Sequence, residues 1–165
     1  MPRVFFAVWP DEAAATALHA VAREAQRNSG GRLMRRETLH LTLAFLGEVD
    51  APRLALARRI ADGIRMEAFD LVLDQVAYWR HNRILWAGGV SPRLTLLADT
   101  LAGELRAAGF RLDARPFAAH VTLLRDAGRA EMPALAQPVA WPVTEFVLAQ
   151  SRDGRYDIIG RWPAS

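Results

Sequence analysis

The sequence predicts an α+β fold, because short strands and helices are mixed along 165 residues. Strand-like runs rich in β-branched and aromatic residues alternate with alanine-rich helical runs, but without the strict strand–helix–strand order of a parallel sheet. A His-x-Thr-Leu tetrapeptide occurs twice, beginning at His40 and at His120, and each copy lies in an apolar strand-like run. Hydrophobic residues make up 52% of the chain, enough for a core, and we expect one domain over residues 1–165.

The first half of the chain divides at start and stop signals. The predicted strands cover residues 4–8, 33–35 and 40–46, and the predicted helices run from Asp11 to about Asn28 and from Asp50 to about Arg65. Pro10 ends the first strand and Gly30-Gly31 ends the first helix. Asp50 is placed to cap the second helix, with Pro52 in its first turn.

The second half repeats this mixture. A predicted hairpin has strands at 69–79 and 84–88, with its tip at 80–83. A predicted helix then runs from Ser91 to about Ala108, and strands are predicted at 110–112 and 120–124. A last predicted hairpin has strands at 144–151 and 155–161. Gly109 ends the helix, and Asp153-Gly154 is a strong turn dipeptide for the last hairpin. The five tryptophans fall near strand ends and are predicted to fill the core.

Composition narrows the functional class. Cysteine is absent, which excludes disulfides and cysteine-based zinc sites. The N-terminus lacks the apolar run of a signal peptide, and no segment is long and apolar enough for a membrane helix, so we expect a cytoplasmic protein with no membrane contact. All 21 basic residues are arginine, and the net charge of +3 is a mild bias toward anionic partners.

The duplicated tetrapeptide carries the candidate chemistry. Side chains at i and i+2 of a strand point to one face, so each copy presents an imidazole beside a hydroxyl, His40 with Thr42 and His120 with Thr122. Two such strands could place both pairs across one cleft. With a reference pKa near 6.5, one imidazole can be neutral and accept a proton while the other is charged and donates one. This chemistry suits a phosphodiester and requires no metal.

At these residues the chain resembles the two-histidine (2H) phosphoesterase superfamily, whose signature is a duplicated His-x-Thr-x. It is most similar to the RNA 2′,3′-cyclic phosphodiesterases, first named bacterial 2′-5′ RNA ligases. The likeness extends from Arg3–Ala7 through residues 39–49 and 115–125 to Ser151, Gly154, Tyr156 and Trp162. One departure is that Met34-Arg35-Arg36 stands where the family often has an aromatic residue.

The resemblance implies two similar lobes, each an antiparallel sheet with outer helices, around a central basic cleft. It implies hydrolysis of an RNA-terminal or nucleoside 2′,3′-cyclic phosphate to a 2′-phosphomonoester, with His40 as proton donor and His120 as proton acceptor. Thr42, Thr122 and Arg125 would bind the phosphate. Phe45 would stack on the terminal base if a twist or bulge turned it toward His40, and core packing is the alternative. No cofactor, metal or obligatory protein partner is implied, and a monomer needs no further assumption.

Other functions remain open from the sequence. The same site could cleave 2′-5′-linked oligonucleotides or join RNA ends through a 2′-5′ bond. A non-catalytic RNA-end binder would need the arginines and threonines but not both imidazoles. A metal protein using His40 and His120 is a third possibility, although two histidines without a nearby carboxylate or cysteine set make a poor metal site. The physiological RNA and the part that Arg35 and Arg36 play in binding are not readable from the sequence.

Overall fold

The computed structural model describes residues 1–128, 135 and 137–165. Three α-helices lie in these ranges: α1 (Glu12–Ser29), α2 (Ala51–Asp62) and α3 (Pro92–Ala107). A 3₁₀ turn covers Arg36–Thr38. The strands are β1 (Arg3–Val8), β2 (Arg32–Leu33), β3 (Leu41–Glu48), β4 (Phe69–Leu73), β5 (Gln75–Trp79), β6 (Ile84–Gly88), β7 (His120–Arg125), β8 (Val139–Val143), β9 (Glu145–Arg152) and β10 (Arg155–Pro163).

The main sheet is antiparallel and consists of two halves joined at its centre. Its strand order is β10-β9-β1-β3-β7-β6-β5, with β2 also paired to β7. The halves meet where β3 pairs with β7, at the residue pair Leu41 and Val121. β4 and β8 form a separate two-stranded antiparallel sheet. The predicted α+β class and the expected two-lobed arrangement are both confirmed.

The main sheet has two different faces. One packs against helices in a large core that includes Val4, Phe6, Leu18 and Leu101, all fully buried. The other face of β1 and β9 carries a smaller cluster of Phe5, Ala7, Val147 and Ala149. This second face is the one on which the candidate site lies.

The local signals for the helices act as expected. The side chains of Asp11, Asp50 and Ser91 each accept a hydrogen bond from a backbone N–H three residues later, at 2.8, 2.9 and 3.3 Å. Asp153 and Gly154 both adopt positive φ angles, 51° and 75°, in the β9–β10 turn. Such angles are those of the tight turn that matches the twist of a hairpin. None of the helices in the described ranges is long and apolar enough to cross a membrane.

Two strand predictions are wrong, those for residues 69–79 and 110–112. Residues 69–79 do not form one strand of a hairpin, because the chain changes sheets at Asp74: β4 pairs with β8, and β5 pairs with β6. Residues 110–112 are not a strand. The N–H of Phe110 donates to the carbonyl of Leu105 at 3.0 Å, and the ring is buried, so this residue completes the end of α3 instead.

The strand β8 was not predicted, because its fourth residue is Pro142. Proline cannot donate a ladder hydrogen bond, so it argues against a central strand. In this fold β8 belongs to a sheet of two strands, where it is an edge, and Pro142 lies opposite Asp70 of β4. The predicted strand at 33–35 shortens to Arg32–Leu33, since the chain enters the 3₁₀ turn at Arg36.

Candidate active site

The two His-x-Thr copies meet at the junction between the halves of the sheet. Leu41 and Val121 form the pair that joins β3 to β7, and both side chains are fully buried. Their sequence neighbours therefore point to the opposite face. In an antiparallel pair, the residue before Leu41 lies opposite the residue after Val121, and the residue after Leu41 lies opposite the residue before Val121. His40 is therefore across from Thr122, and Thr42 is across from His120. One face of the sheet thus carries two imidazoles and two hydroxyls together.

Both imidazoles are oriented by the same backbone contact. The Nδ1–H of His40 donates to the carbonyl oxygen of Thr38 at 2.8 Å. The Nδ1–H of His120 donates to the carbonyl oxygen of Ala118 at 2.9 Å. A carbonyl oxygen only accepts hydrogen bonds, so Nδ1 carries the proton in each neutral ring and Nε2 is the atom left for proton exchange. The Nε2 atom of His40 lies 2.9 Å from the hydroxyl oxygen of Thr42.

Aromatic side chains pack around both histidines. The ring of Trp9 stacks on His40 with centroids 4.9 Å apart and planes 21° apart, and Tyr156 meets the same imidazole edge-on at 5.1 Å. The ring of Trp79 lies 4.7 Å from that of His120. These contacts restrict each imidazole to one orientation and exclude part of its solvent.

Burial makes both imidazoles poor bases in the free protein. Desolvation lowers the pKa of His40 to about 4, with smaller contributions from the nearby His120 and Arg125, and the carbonyl of Thr38 opposes the change. Desolvation also lowers the pKa of His120, again aided by Arg125 and opposed by the carbonyl of Ala118. Both rings are therefore neutral at pH 7 when the cleft holds no anion.

A bulge follows the first copy of the motif. In the pairing of β1 with β3, Phe6 lies opposite Ala44 and Ala7 lies opposite Thr42, so Leu43 is an extra residue. A bulge reverses the alternation of side chains beyond it. Phe45 therefore returns to the face of His40 and Thr42, where it lines the cleft and is 48% exposed. This is the bulge that base stacking by Phe45 required.

The second copy carries an equivalent bulge. In the pairing of β6 with β7, Leu85 lies opposite Leu124 and Trp86 lies opposite Thr122, so Leu123 is the extra residue. Leu123 and Leu124 are both fully buried, and Arg125 comes back to the cleft. The two copies thus present the same series of positions: a histidine, a threonine two residues later, and a third side chain five residues after the histidine, Phe45 in one copy and Arg125 in the other.

These groups lie in one open cleft of about 1190 Å³. Both histidines, both threonines, Phe45 and Arg125 are among its lining residues. The charged side chains that line it are five arginines and two aspartates: Arg3, Arg106, Arg111, Arg115, Arg125, Asp99 and Asp113. Phosphate-bearing ligands suit such a surface, because arginine binds phosphate oxygens in a bidentate manner.

Arg35 and Arg36 are engaged elsewhere. The guanidinium of Arg35 donates to the carbonyl of Gly154 at 2.8 Å, and that of Arg36 lies 3.5 Å from the hydroxyl of Thr16. Neither is among the residues that line the cleft. Within the described ranges, no group of three or more His, Cys, Asp or Glu side chains is arranged to hold a metal ion.

The sequence reasoning missed the aromatic wall around the histidines. Core filling describes Trp141, which is 2% exposed, but it is incomplete for Trp9 and Trp79, which are only partly buried and pack on the imidazoles. A signal for Trp9 existed, since Phe5 and Trp9 are separated by two strand repeats and so fall on one face of the first strand. Nothing in the sequence indicated that this face is the one turned toward His40.

Comparison with known proteins identifies relatives over nearly the whole chain. The family model described as LigT-like phosphoesterase matches twice, over residues 8–86 and 87–159, in agreement with the duplicated motif. The RNA 2′,3′-cyclic phosphodiesterase of Escherichia coli (strain K12) is 36% identical over 168 residues, covering 97% of this chain and 95% of the relative. The enzyme of the same name from Archaeoglobus fulgidus is 31% identical over 127 residues, covering 74% of this chain and 72% of that one.

A solved structure extends the comparison to three dimensions. The crystal structure of E. coli LigT complexed with 3′-AMP superposes on this chain with a TM-score of 0.93 at 34% identity. The superposition covers 100% of this chain and 99% of that one. Sequence and fold therefore agree over the same length.

Proposed function

Since this chain belongs to the LigT-like phosphoesterase family, we propose that it hydrolyses the 2′,3′-cyclic phosphate at the end of an RNA, or of a nucleoside, to a 2′-phosphomonoester. The observation that carries the proposal is the pair of imidazoles anchored alike through Nδ1, at Thr38 and at Ala118, on one face of the sheet. Each thereby has its Nε2 atom available for proton transfer in a cleft lined by arginines.

The two imidazoles divide the proton transfers. Neutral His120 accepts a proton at Nε2 from the attacking water, whose oxygen forms the new bond to phosphorus. Protonated His40 donates its Nε2 proton to the 3′ oxygen as the bond between phosphorus and that oxygen breaks. The products are a free 3′-hydroxyl and a 2′-phosphomonoester, and solvent exchange returns the two rings to their starting states. Each transfer typically contributes about 10²–10⁴-fold to the rate.

Substrate binding favours the protonated form of His40, which takes its proton from solvent. In the free protein the pKa of His40 is about 4, so the ring is neutral at pH 7. The cyclic phosphate carries a negative charge, and an opposite charge within a few ångströms favours the imidazolium. The anionic substrate therefore prepares its own general acid, and an empty site does not hold a buried positive charge.

The remaining site residues position the phosphate and the base. The hydroxyls of Thr42 and Thr122 donate hydrogen bonds to the non-bridging oxygens, and the guanidinium of Arg125 neutralises their charge. Phe45 stacks on the terminal base, which its exposure and its position beyond the Leu43 bulge allow. The reaction needs no metal, cofactor or protein partner, and we propose that the protein acts as a cytoplasmic monomer.

The test is product analysis on an oligoribonucleotide with a 2′,3′-cyclic phosphate end, in the presence of EDTA and without ATP. We expect the 2′-phosphate as the product, and formation of the 3′-phosphate would contradict the assigned bond cleavage. His40→Ala and His120→Ala should each lose at least about 10²-fold in kcat. His19→Ala, a change on α1, is the matched control and should leave turnover intact.

The same variants separate the alternatives. If both histidine variants retain turnover and bind RNA ends unchanged, the protein is a non-catalytic binder and the measured activity comes from a contaminating enzyme. Loss of turnover on adding EDTA, restored by a divalent metal, would favour a metal enzyme. A 2′-5′-linked dinucleotide, supplied in parallel, measures whether the site also cleaves that bond.

A further inference from the structure

Beyond the histidines, the cleft continues along a wall of arginines that the proposed reaction does not use. Arg106 lies in the last turn of α3, and Arg111 and Arg115 lie in the segment that connects α3 to β7. All three line the same cleft as the histidines. Phe45 lines this cleft as well, and its strand β3 contacts α3.

The cleft is larger than a single terminal nucleotide requires. Its volume is about 1190 Å³. Sites for single small ligands usually have volumes of about 300–1,000 Å³. Proteins that bind single-stranded nucleic acid combine aromatic platforms for bases with a basic groove for the backbone. Phe45 and the arginine wall provide both features in one continuous space.

Within this wall, Arg115 is held by a neighbouring carboxylate. The Asp113 carboxylate accepts from Nε of Arg115 at 3.0 Å and from a terminal guanidinium nitrogen at 2.7 Å. Asp113 also accepts from the backbone N–H of Arg115 at 3.0 Å, while its own carbonyl accepts from Arg106 at 2.8 Å. Arg115 lowers the pKa of Asp113 to about 2, so the carboxylate is charged at any working pH.

The ion pair between Arg115 and Asp113 is exposed enough for an incoming phosphate to replace the carboxylate. The side chains of Arg115 and Asp113 are 75% and 61% exposed, and such exposed pairs hold their partners weakly. A phosphodiester presents the same two-oxygen edge that Asp113 offers, and the planar guanidinium binds either group in the same way. An RNA backbone entering this end of the cleft can therefore replace the carboxylate.

We propose that Arg111 and Arg115 form a second phosphate subsite, which binds the phosphodiester on the 5′ side of the terminal nucleotide, and that Asp113 competes with this phosphate for Arg115. The inference rests on the proposed function and deepens it, because it makes the preferred substrate an RNA strand and not a mononucleotide. Asp113 then lowers affinity for strands while leaving the hydrolysis of small cyclic nucleotides unaffected.

The experiment compares two substrates, a nucleoside 2′,3′-cyclic phosphate and a short oligoribonucleotide with the same cyclic end. Arg111→Ser with Arg115→Ser should reduce kcat/KM for the oligonucleotide about tenfold or more and leave the mononucleotide unchanged. The salt dependence for the oligonucleotide should fall by about 0.7 in logarithmic slope for each arginine that no longer neutralises a phosphate. Arg23→Ser is the control, an exposed arginine on α1 that does not line the cleft.

Asp113→Asn tests the competition in the opposite direction. Asparagine keeps an oxygen that can accept the backbone N–H of Arg115, so the local turn is preserved, but it releases the guanidinium. We expect kcat/KM for the oligonucleotide to rise about twofold to fivefold with no change for the mononucleotide. Equal loss on both substrates in the double arginine variant, or no change on either, overturns the subsite. Failure of the unaltered protein to hydrolyse either substrate would instead overturn the proposed function.

Discussion

Protonation of His40 should make the folded protein lose stability in acid, and the size of the loss follows from its buried position. The folded pKa is lowered from 6.5 to about 4, chiefly by desolvation. Between these two values the unfolded chain binds a proton at this site that the folded chain does not. The free energy of unfolding therefore falls as the pH decreases from about 6.5, and the contribution is complete near pH 4.

The size of this loss in the free energy of unfolding is set by the difference between the unfolded and folded pKa values of His40. A depression from 6.5 to about 4 corresponds to at most about 3 kcal/mol at full protonation. In a domain whose whole stability is about 5–15 kcal/mol, this loss is large enough to measure. Anion binding should oppose it, because inorganic phosphate in the cleft favours the charged imidazole.

The assay is urea unfolding followed at several pH values between about 7 and 4, for the unaltered protein and for His40→Asn. Carboxylates contribute equally to both curves, so the difference between them isolates His40. We expect the unaltered protein to lose about 2–3 kcal/mol more than the variant over this range. His19→Asn serves as the control and should follow the unaltered protein. Parallel curves for the unaltered protein and His40→Asn would refute the assignment of a buried neutral imidazole.

Three further predictions follow from the geometry. The rate of cyclic phosphate hydrolysis should be bell-shaped in pH, because one imidazole must be neutral and the other charged, and a flat profile from about pH 5 to 9 would refute the paired roles. Phe45→Ala should raise KM for a cyclic-ended oligonucleotide by at least about fivefold, because stacking on one base contributes about 1–3 kcal/mol. Phe45→Trp keeps an aromatic ring and should bind the oligonucleotide as the unaltered protein does. Equal KM values for all three proteins would exclude stacking. Gly88→Ala should lower the melting temperature by several degrees and reduce turnover. The added Cβ would meet the Trp86 ring and lie 2.6 Å from the carbonyl oxygen of Ala119, the residue before His120. Unchanged melting temperature and turnover would show that the strand accommodates the methyl group without cost.

The helices and most strands were readable because their signals are local. Asp11, Asp50 and Ser91 cap helices through contacts that span three residues, and the turn at Asp153-Gly154 needs only two residues with positive φ. Two of the errors, at residues 69–79 and 139–143, occur where the pairing partners are distant in sequence. The break at Asp74 and the strand at Val139–Val143 depend on each other, because β4 leaves the main sheet to pair with β8. Neither segment alone contains that information.

In the candidate site, too, the local features were predictable from the sequence and the contacts between distant residues were not. The repeated His-x-Thr motif, together with the period of two along a strand, was enough to indicate two histidine and threonine pairs on strands. It could not indicate that Trp9 and Tyr156, more than a hundred residues apart in the chain, would both pack on His40 and desolvate it. The lowered pKa of that ring is a property of this packing and not of the motif.

The sequence by itself determined which side chains are available for chemistry and that each histidine shares a strand face with the threonine two residues later, because both depend on residue identity and on the geometry of a few adjacent peptide units. Tertiary structure alone decided that the two strands lie side by side at Leu41 and Val121, and that bulges at Leu43 and Leu123 return Phe45 and Arg125 to the cleft. Bulges arise from the register between strands, which is set by packing across the whole sheet. A strand read in isolation has no register, so the positions beyond each bulge became assignable only when the partner strand was in place.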